Sequence, residues 1–379
     1  MRLTAVISAL LILACTPSFG KAQARPSPAP SSSVPATGSL DAFVPIAEAF
    51  VEQHRGLKFK APVKVTFLAD TEFQQELAKA NGSDATGYVT EAKVLHALAL
   101  LDGLPDLARA EQDLQDTSVI GFYDPKTKQL FVRGVDAKPS VRHVLVHELT
   151  YALQDQWFSI DRTLSNEDET ELAFRTLVEG DAVRVENEYI ATLSQLDKKQ
   201  IQAANAAGGP LPPGVPDILL ELDSFPYQVG PRFAESVVSS AGQSRLDTAF
   251  TAPPTSTAQV IHPDLFLAGQ APASVEFPPA DGAVIDKGIL GEFGLDLILE
   301  RLNSRGQLTA SQAQAIASGW SGDRYIAWDL GGRSCVRTRF VMSGVQATAA
   351  LIGALQKFAG DHAGTTVEGS GPVLFTACA

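Results

Sequence analysis

Cysteine is nearly missing from this chain: three in 379 residues, at Cys15, Cys335 and Cys378. That excludes the dense disulfide framework of small secreted domains. With no Cys-x-x-Cys and no third cysteine beside the C-terminal pair, a cysteine-based metal site also lacks support. Basic charge is short as well. Against 43 Asp and Glu there are 30 Lys and Arg, a net charge of −13, and no basic run. Nucleic acid and anionic lipid surfaces both require Lys/Arg-rich patches, so neither is expected as a partner. There is no P-loop, no GxGxxG and no Ser–His–Asp order, which leaves phosphate-cradling, dinucleotide-binding and serine-hydrolase readings without a basis.

What is present is ordinary folded composition, 45% hydrophobic and 19% charged, in a chain long enough for one large or two ordinary domains. The N-terminus MRLTAVISALLILAC has a single Arg followed by an apolar run from Leu3 to Ala14, too short to span a bilayer as a mature helix. It reads as an export signal with two cleavage sites open. Ile12-Leu13-Ala14-Cys15 resembles a bacterial lipobox, which makes residues 1–14 the leader and Cys15 a candidate for lipidation. Ala22-Gln23-Ala24 is an A-x-A site, which extends the leader to residue 24. The expected location is therefore extracytoplasmic, as an envelope lipoprotein or a secreted protein. Any membrane association would come only through a lipid on Cys15. In an oxidising compartment Cys335 and Cys378 read as a disulfide, with two buried thiols as the alternative.

Residues 15–38 are rich in Pro, Ser and Ala and cannot bury a core, so they read as a tether before a domain over 39–379. Helical spacing begins with Phe43, Ile46, Ala47, Phe50 and Val51. A strand is expected over Val63–Leu68, then helices over 72–79 and 90–101. A hairpin follows, Ser118–Tyr123 and Gln129–Arg133 about an Asp124-Pro125 turn. Helices are expected over 140–157, opening at Ser140, and over 169–193, with a loop over 203–216. Later helices are expected near 229–240, 286–303, 309–318 and 343–358, with strands near 324–329, 336–341 and 372–376. The order is α+β, with an N-terminal part over about 39–200 and a mostly helical C-terminal lobe over about 215–379.

The chemistry concentrates in His147-Glu-Leu-Thr-Tyr151. In an HExxH helix, two His at i and i+4 bind one zinc and the Glu polarises the metal-bound water. A helix advances about 100° per residue, so position 151 lies about 40° from His147 and Glu148 about 100°. Glu179, on the following helix in LVEGDA, is a candidate third ligand, and a third ligand from a separate helix would leave a position open for water. Here, however, position 151 is a tyrosine. Its reach is longer than imidazole's, and its ordinary pKa, near 10, opposes the tyrosinate form that binds metal. His143 is a weaker substitute, because a His143–His147 pair turns Glu148 about 120° away. Asp155 reads either as a carboxylate orienting a metal ligand or as a structural hydrogen-bond acceptor.

The stretch resembles the gluzincin-type zinc metallopeptidases, in particular exported bacterial peptidases with HE-x-T-HALQDQ followed by an LVEGDA helix. GFYDPKT, FPYQVGPRF, PPTSTAQVIHP, LGEFGL and GWSGDRY resemble segments of that group in the same order, over about Gly121 to Tyr325. The resemblance implies a zincin-like fold, with a small sheet against the active-site helix, and zinc held by His147 and Glu179 with Glu148 as general base. It also implies a peptide or protein substrate. Three departures stand out: Tyr151 replaces the second zinc His, Ala258 stands where the group has Glu, and Ser321 replaces a Gly. Two readings follow. In one, zinc hydrolysis is weakened or lost and the cleft serves binding, of peptide or another envelope component. In the other, an active peptidase uses His147, Glu179 and a substitute ligand. His262 and the Asp323–Arg324 pair read as structural, and His54, His96 and His362 carry no signal.

Overall fold

A computed structural model describes residues 8–10, 39–81, 85–164, 167–207 and 211–379. Cys15, both cleavage sites and the tether lie outside the described residues. In chain order the elements are β1 (Ser8–Leu10), α1 (Leu40–Arg55), β2 (Lys64–Leu68), α2 (Asp70–Asn81), α3 (Ala85–Ala97), α4 (Leu107–Ser118), β3 (Val119–Asp124), β4 (Gln129–Arg133), α5 (Pro139–Phe158) and α6 (Asp168–Thr192). They continue with α7 (Gln195–Ala206), α8 (Asp217–Ala241), α9 (Gln243–Thr251), α10 (Thr257–Ile261), α11 (Pro263–Leu267) and β5 (Ala283–Gly288). The last are α12 (Gly291–Ser304), α13 (Ala310–Ala317), β6 (Trp320–Leu330), β7 (Arg333–Met342), α14 (Val345–Asp361), β8 (Thr366–Glu368) and β9 (Val373–Cys378). The class is α+β. No helix among the described residues is long and apolar enough to cross a membrane.

One sheet, in the order β1-β3-β4-β2, is built on the expected hairpin, with β2 parallel to β4 and the other pairs antiparallel. It packs on α5, a helix buried on nearly every side. Gly121 lets β3 approach closely, since a Cβ there would sit 3.1 Å from Val144 and 3.5 Å from the Glu148 side chain. One apolar core joins this sheet to α1, α5, α6 and α8 through Phe43, Leu145, Leu149, Leu177, Phe225 and Phe233. A second core lies around a five-stranded antiparallel sheet, β5-β6-β7-β9-β8, with α3 and α12 to α14 against it. The C-terminal lobe is rich in helix, as expected, and its strands assemble into one sheet against which helices pack. From Val336 to Met342 buried positions alternate with half-buried ones, as in a strand covered mainly on one face. Cys335 and Cys378 face each other across β7 and β9 and are joined by a disulfide.

Other local expectations are corrected. Residues 283–288 form β5, pairing with β6, and the helix begins only at Gly291. The expected loop from residue 203 begins later, because α7 runs to Ala206 from a Ser194 cap. The helix expected at 229–240 begins at Asp217 and continues through Pro226 and Pro231. Each proline removes a backbone donor, a cost that is offset by tertiary packing. At its centre Gly230 lies directly on Gly180 of α6: a Cβ on Gly230 would fall 2.7 Å from the Gly180 Cα and 2.8 Å from its nitrogen. The glycines of LVEGDA and FPYQVGPRF thus let two long helices touch backbone to backbone.

Asp181 has a structural task that its motif did not reveal. Its carboxylate meets the Arg55 guanidinium at 2.7 Å with both side chains fully buried, and accepts from Gln154 Nε2 at 2.9 Å. Arg55 also reaches Asp247 at 2.9 Å, so α1, α5, α6 and α9 share one ionic knot. Arg55→Met is expected to destabilise the protein by about 3 kcal/mol, because the buried Asp181 carboxylate loses one of its two guanidinium partners and keeps only Arg184, at 3.1 Å. Equilibrium urea unfolding measures this; a change below about 0.5 kcal/mol contradicts it.

Candidate functional site

The site is assembled from one face of α5 and the facing side of α6, with α8 closing it. His147 and Tyr151 lie one turn apart on α5, as the helical geometry predicts, and Glu179 of α6 stands opposite. All three, with Glu148, are at most 1% exposed. The phenol lies between the other two groups. His147 Nε2 is 2.7 Å from the Tyr151 hydroxyl, which in turn donates to Glu179 Oε2. His147 Nε2 and Glu179 Oε2 are 3.6 Å apart. The rings of His147 and Tyr151 meet edge to face, centroids 4.6 Å apart. A zinc bound by both His147 and Glu179 needs each donor within about 2.0–2.2 Å of the ion. The phenol oxygen holds that space.

Behind His147 stands Glu186, two helical turns beyond Glu179 on α6. Its carboxylate accepts from His147 Nδ1 at 2.9 Å and from His143 Nδ1 at 2.6 Å. A carboxylate only accepts, and so does Glu179 toward the phenol; the donors are satisfied in sequence when both His147 nitrogens carry protons. Burial disfavours the charged ring, but the nearby Glu179 carboxylate, the hydrogen bond to Glu186 and the charges of Glu186 and Glu148 outweigh it, raising His147 to about 10. Burial likewise pushes Glu186 up, yet the two histidines hold it down at about 2. Burial first, then the charge of Glu179, drives Tyr151 well above its ordinary value. For a metal to bind here it would have to displace a proton from His147 and one from the Tyr151 phenol.

Glu148 is equally committed. Its Oε2 accepts the Tyr123 backbone N–H at 2.7 Å, anchoring α5 to β3. Tyr227 of α8 covers the site, its ring nearly parallel to that of His147 at 6.3 Å, and its phenol bonds Glu179. Arg175, one turn before Glu179, stands 3.8 Å from Glu179 and 3.8 Å from Asp223. Among the described residues no group of three or more His, Cys, Asp or Glu side chains is arranged to hold a metal ion. The donor set present does not fit a catalytic zinc.

Asp155 takes the structural alternative: it accepts from Tyr123 Oη and Lys128 Nζ, both at 2.7 Å, and so ties the hairpin to α5. His143 is 4% exposed and shares Glu186 with His147. His54, His96 and His362 each bond a nearby backbone carbonyl through Nδ1. His262 pairs with Glu292 at 2.8 Å, and Arg324 with Glu167 rather than with Asp323. Ala258 is buried in the C-terminal core, where nothing explains the missing carboxylate. An open groove of about 760 Å³ lies elsewhere, between the C-terminal halves of α6 and α8, with Val229, Val260 and Ile261 among Arg184, Arg232 and Glu235. Sequence reasoning missed Glu186, Tyr227 and Arg175. The first had a readable signal, its i+7 spacing from Glu179 on one helix face.

Compared with protein-family models, with curated proteins and with solved structures, the chain gives no match.

Proposed function

We propose that this chain is a metallopeptidase-type protein of the gluzincin pattern, exported to the cell envelope or beyond, in which the zinc site has become a metal-free hydrogen-bonded core. The observation that carries the reading is the Tyr151 phenol, hydrogen-bonded to His147 Nε2 and to Glu179 where a metal would lie. The ordered series of peptidase-like segments supports the zincin-like ancestry. The disulfide fits an oxidising compartment. Glu148 supports the loss of hydrolysis, since it is buried and accepts the Tyr123 backbone N–H. On this reading the protein acts by binding, of a peptide or another envelope component, and not by cleaving it.

The test is proteolysis of casein with zinc supplied in excess. The expected result is no hydrolysis beyond that of a Glu148→Gln variant. Zinc-dependent cleavage by the unmodified protein that Glu148→Gln abolishes overturns the proposal and favours an active peptidase with a substitute ligand.

A further inference from the structure

Three of the peptidase-like segments do not reach the His147 site at all. PPTST, LGEFGL and GWSGDR converge with the first turn of α6 on the junction between the two apolar cores. Glu169 of α6 is 3% exposed, and its Oε1 accepts from the Thr257 backbone N–H at 2.6 Å and the Thr257 hydroxyl at 2.8 Å. That hydroxyl also accepts the Phe293 N–H at 3.1 Å, so one carboxyl ties the start of α10 to the first turn of α12. Gly291, at φ 76°, lies so close that a Cβ there would fall on the Glu169 carboxyl group. Phe225 of α8 stacks on Phe293, centroids 4.0 Å apart, joining the cores at the same place.

Two further carboxyls face this one. Asp323 of β6 accepts from the backbone N–H groups of Leu290 and Gly291, both at 3.0 Å, and from Trp320 Nε1 at 2.9 Å. Glu292 of α12 is paired with His262 at 2.8 Å. Neither nearby cation pairs with Glu169: Arg324 of β6 is held by Glu167 and His262 by Glu292. On α6 itself, Glu171 turns away to the Leu164 N–H, and Asp168 adds another acid; on α11, Asp264 lies near His262. Glu169 is thus a buried carboxyl among acids, hydrogen-bonded but without an ion-pair partner among the described residues.

We propose that this junction is a pH-dependent latch, closed while Glu169 is protonated and loosened when its proton is lost beside Asp323 and Glu292. Burial first, and then the charges of Asp323 and Glu292, raise Glu169 from 4.5 to about 8, against the two bonds from Thr257. Burial also raises Asp323 to about 6 against its three donors. The sign follows from proton binding. Between 4.5 and about 8 the closed junction holds a proton that the opened chain releases. Its stabilisation is therefore complete below that window and is lost as pH rises through it.

Hydrogen exchange on the full chain, corrected for intrinsic rates and followed from about pH 5 to about pH 9, tests this. Protection of the segments 255–262 and 289–294 is expected to fall about tenfold or more with rising pH, while that of α5 holds. Glu169→Gln keeps an acceptor for Thr257 and cannot ionise, so its protection is expected to be flat with pH. A flat profile in the unmodified protein overturns the latch whether or not the variant folds. A profile that persists unchanged in Glu169→Gln overturns it as well.

Discussion

Tyr151→His is expected to turn a protein that retains little zinc into one that holds about one ion per chain, raising its affinity roughly 100-fold or more. The magnitude follows from comparison: removing even an outer partner of a zinc ligand costs up to about 100-fold in affinity, and here a ligand itself is absent. The imidazole is shorter than the phenol, so the space between position 151, His147 and Glu179 opens to the ion. Glu186 already receives His147 Nδ1 at 2.9 Å, the orientation a histidine ligand requires to offer Nε2. Affinity is read by competition with a chromogenic chelator. Tyr151→Phe is the matched control: it deletes the bridging hydroxyl without adding a donor and is expected to leave zinc binding weak. If Tyr151→His binds no better than the parent, the phenol is not what excludes the metal.

The second large effect lies in the fold. Gly180→Ala and Gly230→Ala are each expected to cost more than about 4 kcal/mol or to prevent folding. The new methyl at either position meets backbone of the facing helix, which has no rotamer by which to move aside. Gly353→Ala, on an exposed part of α14 with nothing within 4 Å of the new Cβ, runs the other way. It is expected to stabilise by about 0.5–1 kcal/mol through helix propensity. Denaturant midpoints for the three variants separate close packing from conformational freedom. Tolerance of alanine at both crossing glycines contradicts the helix contact described above.

The elements legible in the sequence were those with uninterrupted patterning. The helices α5 and α6 follow from their spacing, the β3–β4 hairpin from its Asp-Pro turn, and the shared face of His147 and Tyr151 from about 100° per residue, while Glu179 was suggested by the LVEGDA resemblance. The first half of α8 was illegible because Pro226 looks like a break. Only the contact with α6, made by residues fifty positions apart in sequence, shows why the helix continues. The C-terminal sheet was partly legible as separate strands, while its order, with β9 between β7 and β8, depends on long-range pairing. At the site itself the phenol's longer reach was readable. That the reach lets it close directly on Glu179 depends on how near α6 approaches α5, which spacing along one helix does not give. The junction of Glu169, Thr257 and Asp323 was invisible for the same reason: its members come from three separate segments.

The central claim is that Tyr151 completes the site without a metal, and the zinc content of the unmodified protein tests it most directly. The protein would be purified with zinc present, washed briefly with chelator and measured by elemental analysis against protein concentration. The account predicts zinc well below one ion per chain, with unfolding midpoints unchanged by the wash. About one tightly held zinc per chain, lost only with the loss of the fold, would contradict it.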